Sequence, residues 1–104
     1  MLKIDFEFRK GIFFIRLIGD MNSKTSKTQG KEIKDLLTEN KFKYIVINVN
    51  NLKTIDTEGI NYINDIYNMI KTNQSNLVLC DKFNLLNKLI KNNIPSIDDE
   101  LEVL

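Results

Sequence analysis

The first residues of the chain alternate between apolar and polar side chains. The apolar positions are Leu2, Ile4, Phe6 and Phe8, with charged residues between them. Since successive side chains of a strand point to opposite faces of a sheet, this pattern predicts a half-buried strand over residues 2–9, at a sheet edge. Lys10-Gly11 then predicts a tight hairpin turn, and the mostly apolar run over residues 12–18 predicts an inner strand antiparallel to the first.

Two later apolar runs predict strands that are buried on both faces. One is YIVINV at residues 44–49, and the other is NLVLC at residues 76–80. Continuous apolar runs of this length are typical of inner strands in parallel sheets. A break is predicted at residues 19–23, after the second strand, and a polar elbow is predicted at residues 50–53, after the third.

Three further segments carry apolar residues at intervals of three or four, which predicts amphipathic helices packed on the sheet. The first helix is predicted from residue 24 to 39, the second directly after Asp56 and the third after Asp81. Asp56 is a predicted N-cap, because its carboxylate can accept hydrogen bonds from the free amides of the first turn. The apolar stripes are Ile33, Leu36 and Leu37, then Ile60, Ile63, Ile66, Tyr67 and Ile70, then Phe83, Leu86, Leu89 and Ile90.

The predicted order of elements is β-β-α-β-α-β-α, followed by a tail at residues 97–104. For this tail a short strand and a short amphipathic helix both remain open. Strands separated by helices indicate parallel pairing with right-handed crossovers, here after an opening antiparallel hairpin. The sequence therefore predicts an α/β fold in a single domain, residues 1–104, with a mixed, mostly parallel sheet and helices packed on it.

Composition removes several classes of function. The 15 basic and 14 acidic residues leave a net charge of +1, which argues against a nucleic-acid-binding surface. There is no histidine, and Cys80 is the only cysteine, so no disulfide can form within the chain and no metal site is expected. Cys80 is expected to act as a small buried hydrophobe. The apolar run at residues 12–18 is too short to cross a bilayer, so we expect no membrane insertion. We expect the protein to be located in the reducing environment of the cytoplasm.

Motifs for catalysis and cofactor binding are missing from the sequence. The four glycines, at positions 11, 19, 30 and 59, form neither a phosphate-binding loop nor a dinucleotide fingerprint. No histidine can serve as a general base. An acid–base pair of Asp20 and Asp56 is a weak candidate, because acids that follow strands are common in α/β folds. We therefore predict that the chain is not an enzyme and needs no cofactor.

One polar corner, Asp56-Thr57-Glu58-Gly59, has two interpretations. The first is ordinary helix capping, in which acidic and hydroxyl side chains suit the positive end of the helix dipole, and spacing alone favours it. In the second, the Thr57 hydroxyl is a phosphorylation site. A phosphate there would meet free helix amides and would add roughly −1.5 to −2 charge beside Asp56 and Glu58. Such a modification would change the surface strongly at little structural cost.

The segment at residues 45–59, IVINVNNLKTIDTEG, resembles the signature of the STAS domain family, in particular of bacterial anti-sigma factor antagonists. That signature is an apolar strand, a loop, and then an aromatic or aliphatic residue followed by Asp, Ser, Ser or Thr, and Gly. The resemblance extends over nearly the whole chain. LIGDMN at residues 17–22 looks like the family's Leu-x-Gly-Glu-Leu-Asp, and residues 77–90 look like its last strand and helix.

In that family, the residue directly after the aspartate is phosphorylated by a partner serine/threonine kinase that is also the anti-sigma factor. The resemblance implies that Thr57 is this residue, that the unphosphorylated chain binds the kinase and frees a sigma factor, and that phosphorylation ends the binding. It thus implies a non-enzymatic regulator of transcription, expected as a monomer or weak dimer. The implied docking surface comprises Asp20, Asn22, Ser23, Asp56, Thr57, Glu58, Gly59 and Asn61.

The corner also departs from the family pattern. Thr57 replaces the commoner serine, Glu58 stands where a second Ser or Thr is usual, and Asn61 and Asn22 replace a glycine and an acid. These departures keep a second interpretation open, in which an unphosphorylated STAS subunit acts as an assembly or regulatory module of a stress-signalling complex or a lipid-transport ABC system. A small-ligand module is a further alternative that no sequence feature favours.

Overall fold

A five-stranded sheet organises the structure, a computed structural model that describes residues 1–86 and 94–104. The strands, in chain order and also in order across the sheet, are β1 (Leu2–Arg9), β2 (Ile12–Met21), β3 (Tyr44–Ile55), β4 (Asn76–Cys80) and β5 (Ser96–Ile97). β1 and β2 are antiparallel, and the other neighbours are parallel. The described α-helices are α1 (Ser23–Glu39) and α2 (Thr57–Thr72), and a 3₁₀ helix covers Glu100–Val103. The predicted α/β fold is confirmed.

The turn between β1 and β2 consists of Lys10 and Gly11, as predicted. Both residues have a left-handed backbone, with φ angles of 52° and 79°. Two-residue hairpin turns of this kind match the right-handed twist of the strands that they join. The turn pairs Arg9 with Ile12, and this pairing fixes the register of the whole hairpin.

Both helices cover the same face of the sheet, and the main core lies beneath them. Ile33 and Leu37 of α1 and Ile63, Ile66 and Ile70 of α2 are buried there, which confirms most of the two predicted stripes. Alternate strand positions complete this core, among them Phe13, Ile15, Leu17, Ile45, Ile47 and Val49. Removal of this apolar surface from water is the main force that holds the helices on the sheet.

The end of the chain covers part of the opposite face. There Phe14, Val46 and Cys80 form a small buried cluster, and Val103 and Leu104 pack against it. The tail thus contains both structures that the sequence left open, the short strand β5 and one turn of 3₁₀ helix. Cys80 is buried as predicted, and this burial raises the pKa of its thiol to about 11.

Arg16 of β2 joins this tail to the sheet. Its guanidinium donates to both carboxylate oxygens of Glu100, at 2.9 and 2.7 Å, and to Asp5 and Glu7 of β1 at 2.8 and 2.7 Å. Asn48 also donates to Glu100, at 2.6 Å. The Glu100 side chain is only 16% exposed, and the hydrogen bonds from Arg16 hold its pKa below the usual value of a glutamate. The bidentate, charge-assisted geometry makes this a strong tertiary contact.

β2 and β3 are longer than predicted. They continue to Met21 and Ile55, so the predicted elbow at residues 50–53 is wrong and the break at 19–23 begins only after Met21. The two extensions pair with each other, with register shifts around Gly19. Gly19 has a φ of 104°, and a Cβ there would lie 2.2 Å from the carbonyl oxygen of Met1. The residues of these extensions are mostly polar, so the hydrophobic pattern did not predict them as strand. Backbone pairing does not require apolar side chains, and it holds the extensions in the sheet.

The predicted third helix falls partly outside the described residues. Asp81 is buried, and its carboxylate accepts hydrogen bonds from the amides of Leu85 and Leu86, both at 2.8 Å. Leu86 is buried as expected. Phe83 is 72% exposed, because it lies in a turn directly after β4, and its predicted place in the apolar stripe is therefore wrong. The other two members of that stripe, Leu89 and Ile90, lie outside the described residues.

Candidate functional site

The two helices begin side by side at one end of the sheet. β2 and β3 are parallel neighbours whose last residues, Met21 and Ile55, pair with each other. α1 starts two residues after β2 and α2 starts two residues after β3. The amide of Asp56 donates to the carbonyl of Met21 at 3.1 Å, which ties the start of α2 to the end of β2. Helix starts at the carboxyl ends of adjacent parallel strands are a frequent place for function in α/β sheets.

Asp56 connects the two helix starts. Its Oδ1 accepts from the amide of Gly59 at 2.9 Å, which confirms the predicted N-cap of α2. Its Oδ2 accepts from the amide of Ser23, the first residue of α1, at 3.4 Å. One carboxylate therefore lies between two helix N-termini, where the partial positive charges of both helix dipoles favour it.

Asn22 caps α1 through a capping box with Thr25. The Asn22 side chain accepts from the amide of Thr25 at 3.0 Å, and the Thr25 hydroxyl accepts from the amide of Asn22 at 2.8 Å. These contacts occupy the backbone amide and the side-chain oxygen of Asn22 in the helix start itself. They give Asn22 a structural role that the sequence pattern did not identify.

Asp20 lies in the last part of β2, opposite Thr54 of β3. Its carboxylate accepts from the Thr54 hydroxyl at 2.7 Å and from the amino group of Met1 at 3.1 Å. The hydrogen bond from Thr54, followed by that from the amino group, lowers the pKa of Asp20. The sequence pattern did not identify Thr54 as part of this site, because it predicted that β3 ends before this residue. Only the continued pairing of β3 with β2 in the structure places Thr54 beside Asp20.

Thr57 is the first residue of α2, and its side chain is exposed. Its hydroxyl makes no hydrogen bond to the described part of the chain. Glu58 and Asn61, on the same two turns of the helix, are also exposed. The amides of residues 57 and 58 lie in the first turn, where a helix offers no carbonyl to accept from them. The corner thus presents a free hydroxyl next to free amides.

Gly59 is buried, and its role in this corner is packing. A Cβ at this position would lie 2.8 Å from the carbonyl oxygen of Met21 and 2.7 Å from a side-chain carbon of Ile55. Real Cβ contacts are not this short, so any larger residue would push α2 away from the ends of β2 and β3. The absence of a side chain allows the close approach that sets the position of Asp56 and Thr57.

We expect Gly59→Ala to lower the free energy of unfolding by about 1–3 kcal/mol, because the added methyl group overpacks this contact. Urea unfolding followed by circular dichroism measures the change. Asn61→Ala, an exposed substitution in the next turn of α2, is the control and should stay within about 0.5 kcal/mol of the wild type. Equal stability of Gly59→Ala and the wild type would show that the corner adjusts without strain.

The structure brings all eight predicted docking residues to this end of the sheet. Four are at the end of β2 or the start of α1 and α2: Asp20, Asn22, Ser23 and Asp56. The other four, Thr57, Glu58, Gly59 and Asn61, belong to the first turns of α2. Within residues 1–86 and 94–104, no cluster of three or more His, Cys, Asp or Glu could hold a metal ion, and no helix is long and apolar enough to cross a membrane.

The fold and this corner define a small α/β domain with two helix starts at one end of its sheet, and sequence comparison identifies the family. The model of the STAS domain matches residues 3–82, so the chain belongs to the STAS domain family. An anti-sigma F factor antagonist of Paenibacillus polymyxa is 25% identical over 80 residues, which are 77% of this chain and 68% of that protein.

Solved structures share the fold at lower sequence identity. The unphosphorylated form of the anti-sigma factor antagonist SpoIIAA superposes with a TM-score of 0.79 and 14% identity, over 99% of this chain and 93% of that one. An anti-sigma factor antagonist from Mycobacterium paratuberculosis superposes with a TM-score of 0.76 and 12% identity, over 98% and 90% of the two chains. At these identities the likeness concerns the fold.

Proposed function

We propose that this protein is an anti-sigma factor antagonist that binds an anti-sigma serine/threonine kinase and is switched by phosphorylation of Thr57. The observation that carries the proposal is the exposed Thr57 hydroxyl, without a hydrogen bond to the described residues, at the first position of α2 and directly after Asp56. The kinship with the Paenibacillus polymyxa antagonist supports the same role. The unphosphorylated chain binds the kinase in the cytoplasm, and a sigma factor is released for transcription.

The local geometry suits a reversible phosphate. A phosphate on Thr57 lies at a helix N-terminus, where free amides and the helix dipole favour negative charge, so α2 keeps its structure. At the same time it adds roughly −1.5 to −2 charge to a corner that already contains Asp56 and Glu58. The modification therefore changes the docking surface and leaves the fold intact, as a binding switch requires.

The docking residues divide into contact residues and residues that position them. Ser23, Asp56, Thr57, Glu58 and Asn61 are exposed and can touch a partner directly. Asp20 and Asn22 are half-buried, and their side chains hold the loop ends through hydrogen bonds to Thr54 and Thr25. Gly59 is buried and acts through packing. The chain contributes a surface and one acceptor hydroxyl, and the kinase supplies the chemistry.

The proposal is tested by incubation of the purified chain with its anti-sigma kinase and ATP, followed by mass spectrometry of the peptides. We expect a single phosphate on Thr57, and none after the substitution Thr57→Ala. Thr54 is an internal control, because its hydroxyl is engaged by Asp20 and should stay unmodified. A phosphate at another residue, or no phosphate with an active kinase that binds the chain, would contradict the proposed switch.

A further inference from the structure

A groove of about 300 Å³ lies between α1 and α2 and reaches the Thr57 corner. α1 contributes Ser26, Lys27, Lys31 and Lys34 to its lining, and α2 contributes Glu58 and Asp65 among others. Glu58 follows Thr57 directly, so one end of the groove is next to the proposed phosphorylation site. The groove and the corner therefore form one continuous surface.

The α1 side of this groove is cationic. Lys27, Lys31 and Lys34 follow each other at intervals of four and three residues, which places them on one face of the helix. Lys34 reaches Asp65 at 3.9 Å, and the two side chains are 40% and 64% exposed, so this pair contributes little. Lys27 and Lys31 are exposed and form no ion pair with the described residues. Their charges are available to a partner.

The groove also contains a buried polar atom without a partner. Ser26 Oγ is inaccessible to solvent and has no hydrogen bond to any part of the chain that the structure describes. Buried hydroxyl groups are nearly always hydrogen-bonded, so an exception calls for an explanation. Because Ser26 Oγ is shielded from solvent, a side chain that enters the groove does not reach it, and the occupant is selected by the charged groups that line the groove.

The two walls of the groove are held at a fixed distance. The hydroxyl of Tyr62, in α2, donates to the carbonyl of Gly30, in α1. A Cβ on Gly30 would lie 2.5 Å from the Tyr62 ring, so the glycine permits this close contact between the helices. The groove is therefore formed before any partner binds, which lowers the entropic cost of binding.

We propose that this groove binds an acidic segment of the partner protein, with carboxylates of that segment on Lys27 and Lys31. The lining carries three lysines and two carboxylates, Glu58 and Asp65, and Lys34 lies beside Asp65. The remaining excess of positive charge lies at Lys27 and Lys31 on the α1 side, and it selects an acidic occupant there. The identity of the partner rests on the proposed function. Phosphorylation of Thr57 places roughly −1.5 to −2 charge beside Glu58, at the end of the groove. This charge repels the acidic segment, and the proposal thus explains how a phosphate at the corner releases the partner.

A fluorescent peptide tests the groove without the kinase. The peptide is short, helical, and carries glutamates at intervals of four and three residues; a matched peptide carries glutamines. By fluorescence anisotropy we expect the wild type to bind the glutamate peptide about tenfold more tightly than the glutamine peptide, and Lys27→Gln/Lys31→Gln to remove this difference. Lys41→Gln/Lys43→Gln makes the same charge change outside the groove and should keep the difference within about twofold.

The wild type and the two double lysine variants are then titrated with the anti-sigma kinase. We expect only Lys27→Gln/Lys31→Gln to lose affinity for the kinase, by about tenfold. Equal losses in the two lysine variants, or no preference of the wild type for the glutamate peptide, would overturn the groove proposal. A wild type that prefers the glutamate peptide and does not bind the kinase would support an acidic occupant and contradict the proposed function. The two proposals therefore fail separately.

Discussion

Replacing Thr57 by glutamate is expected to weaken binding of the anti-sigma kinase by at least about 100-fold, which corresponds to about 2.7 kcal/mol. The substitution adds a carboxylate between Asp56 and Glu58, and like charges at a docking surface cost several kcal/mol when a partner approaches. The affinity of Thr57→Ala for the kinase should stay within about threefold of that of the wild type. The exposed Thr57 hydroxyl makes no hydrogen bond to the described residues, so its removal leaves the docking surface unchanged in shape. Isothermal titration calorimetry measures both affinities.

The two substitutions also serve as controls for the fold. A carboxylate in the first turn of a helix is favourable, so Thr57→Glu should unfold at the same urea concentration as the wild type or slightly above it. Loss of binding then reports the charge and not unfolding. If both variants bind the kinase as the wild type does, the switch is contradicted, and the chain acts as the assembly or regulatory module that the departures at Glu58 and Asn61 had kept open.

Arg16→Met is expected to lower the free energy of unfolding by about 2–4 kcal/mol. The substitution keeps an apolar stem of similar length and removes the guanidinium, which leaves the largely buried carboxylate of Glu100 with Asn48 as its remaining hydrogen-bond donor among the described residues. It also removes the cation that Asp5 and Glu7 share. Urea unfolding at neutral pH measures the change.

Glu100→Gln separates the charge from the shape of this contact. The pKa of Glu100 is lowered in the folded chain, so the charged carboxylate stabilises the fold at pH values above 4.5, the ordinary pKa of a glutamate. This contribution is lost as the pH falls through the lowered pKa. We therefore expect the wild type to exceed Glu100→Gln by about 1–2 kcal/mol at neutral pH, with the difference vanishing in strong acid. Glu32→Gln, in an exposed position of α1, is the control and should show no such trend.

Cys80 provides a second readout of the same contact. It is the only cysteine of the chain, and it is buried beside the tail that Glu100 fixes. Weakening of the tail should expose the thiol more often, so Glu100→Gln should react faster with a thiol reagent than the wild type or Glu32→Gln. Equal labelling rates and equal stability at neutral pH would show that the apolar contacts of the tail hold it without the ion pair.

Patterns within short segments predicted most of the fold. The edge strand β1, the turn at Lys10 and Gly11, most of the stripes of α1 and α2 and the cap at Asp56 depend on neighbours a few residues apart, and the structure confirms them. In β1 the predicted burial holds for Leu2 and in part for Ile4 and Phe6, whereas Phe8, near the end of the strand, is 63% exposed. The ends of β2 and β3 were missed because they consist of polar residues held by backbone pairing with each other. Phe83 was misplaced because a turn, and not a helix, follows β4 directly.

The sequence by itself determined the order of the elements from β1 to β4 and the Asp56–Gly59 corner with its exposed threonine. Only the tertiary structure decided which distant groups meet. Parallel pairing of β2 with β3 sets the starts of α1 and α2 side by side, Arg16 meets Glu100 from 84 positions away, and three lysines face a groove beside Thr57. Hydrophobic periodicity within a segment indicates which of its faces is buried. Ion pairs and grooves form between segments that are distant in the sequence, and no pattern within either segment indicates which other segment it contacts.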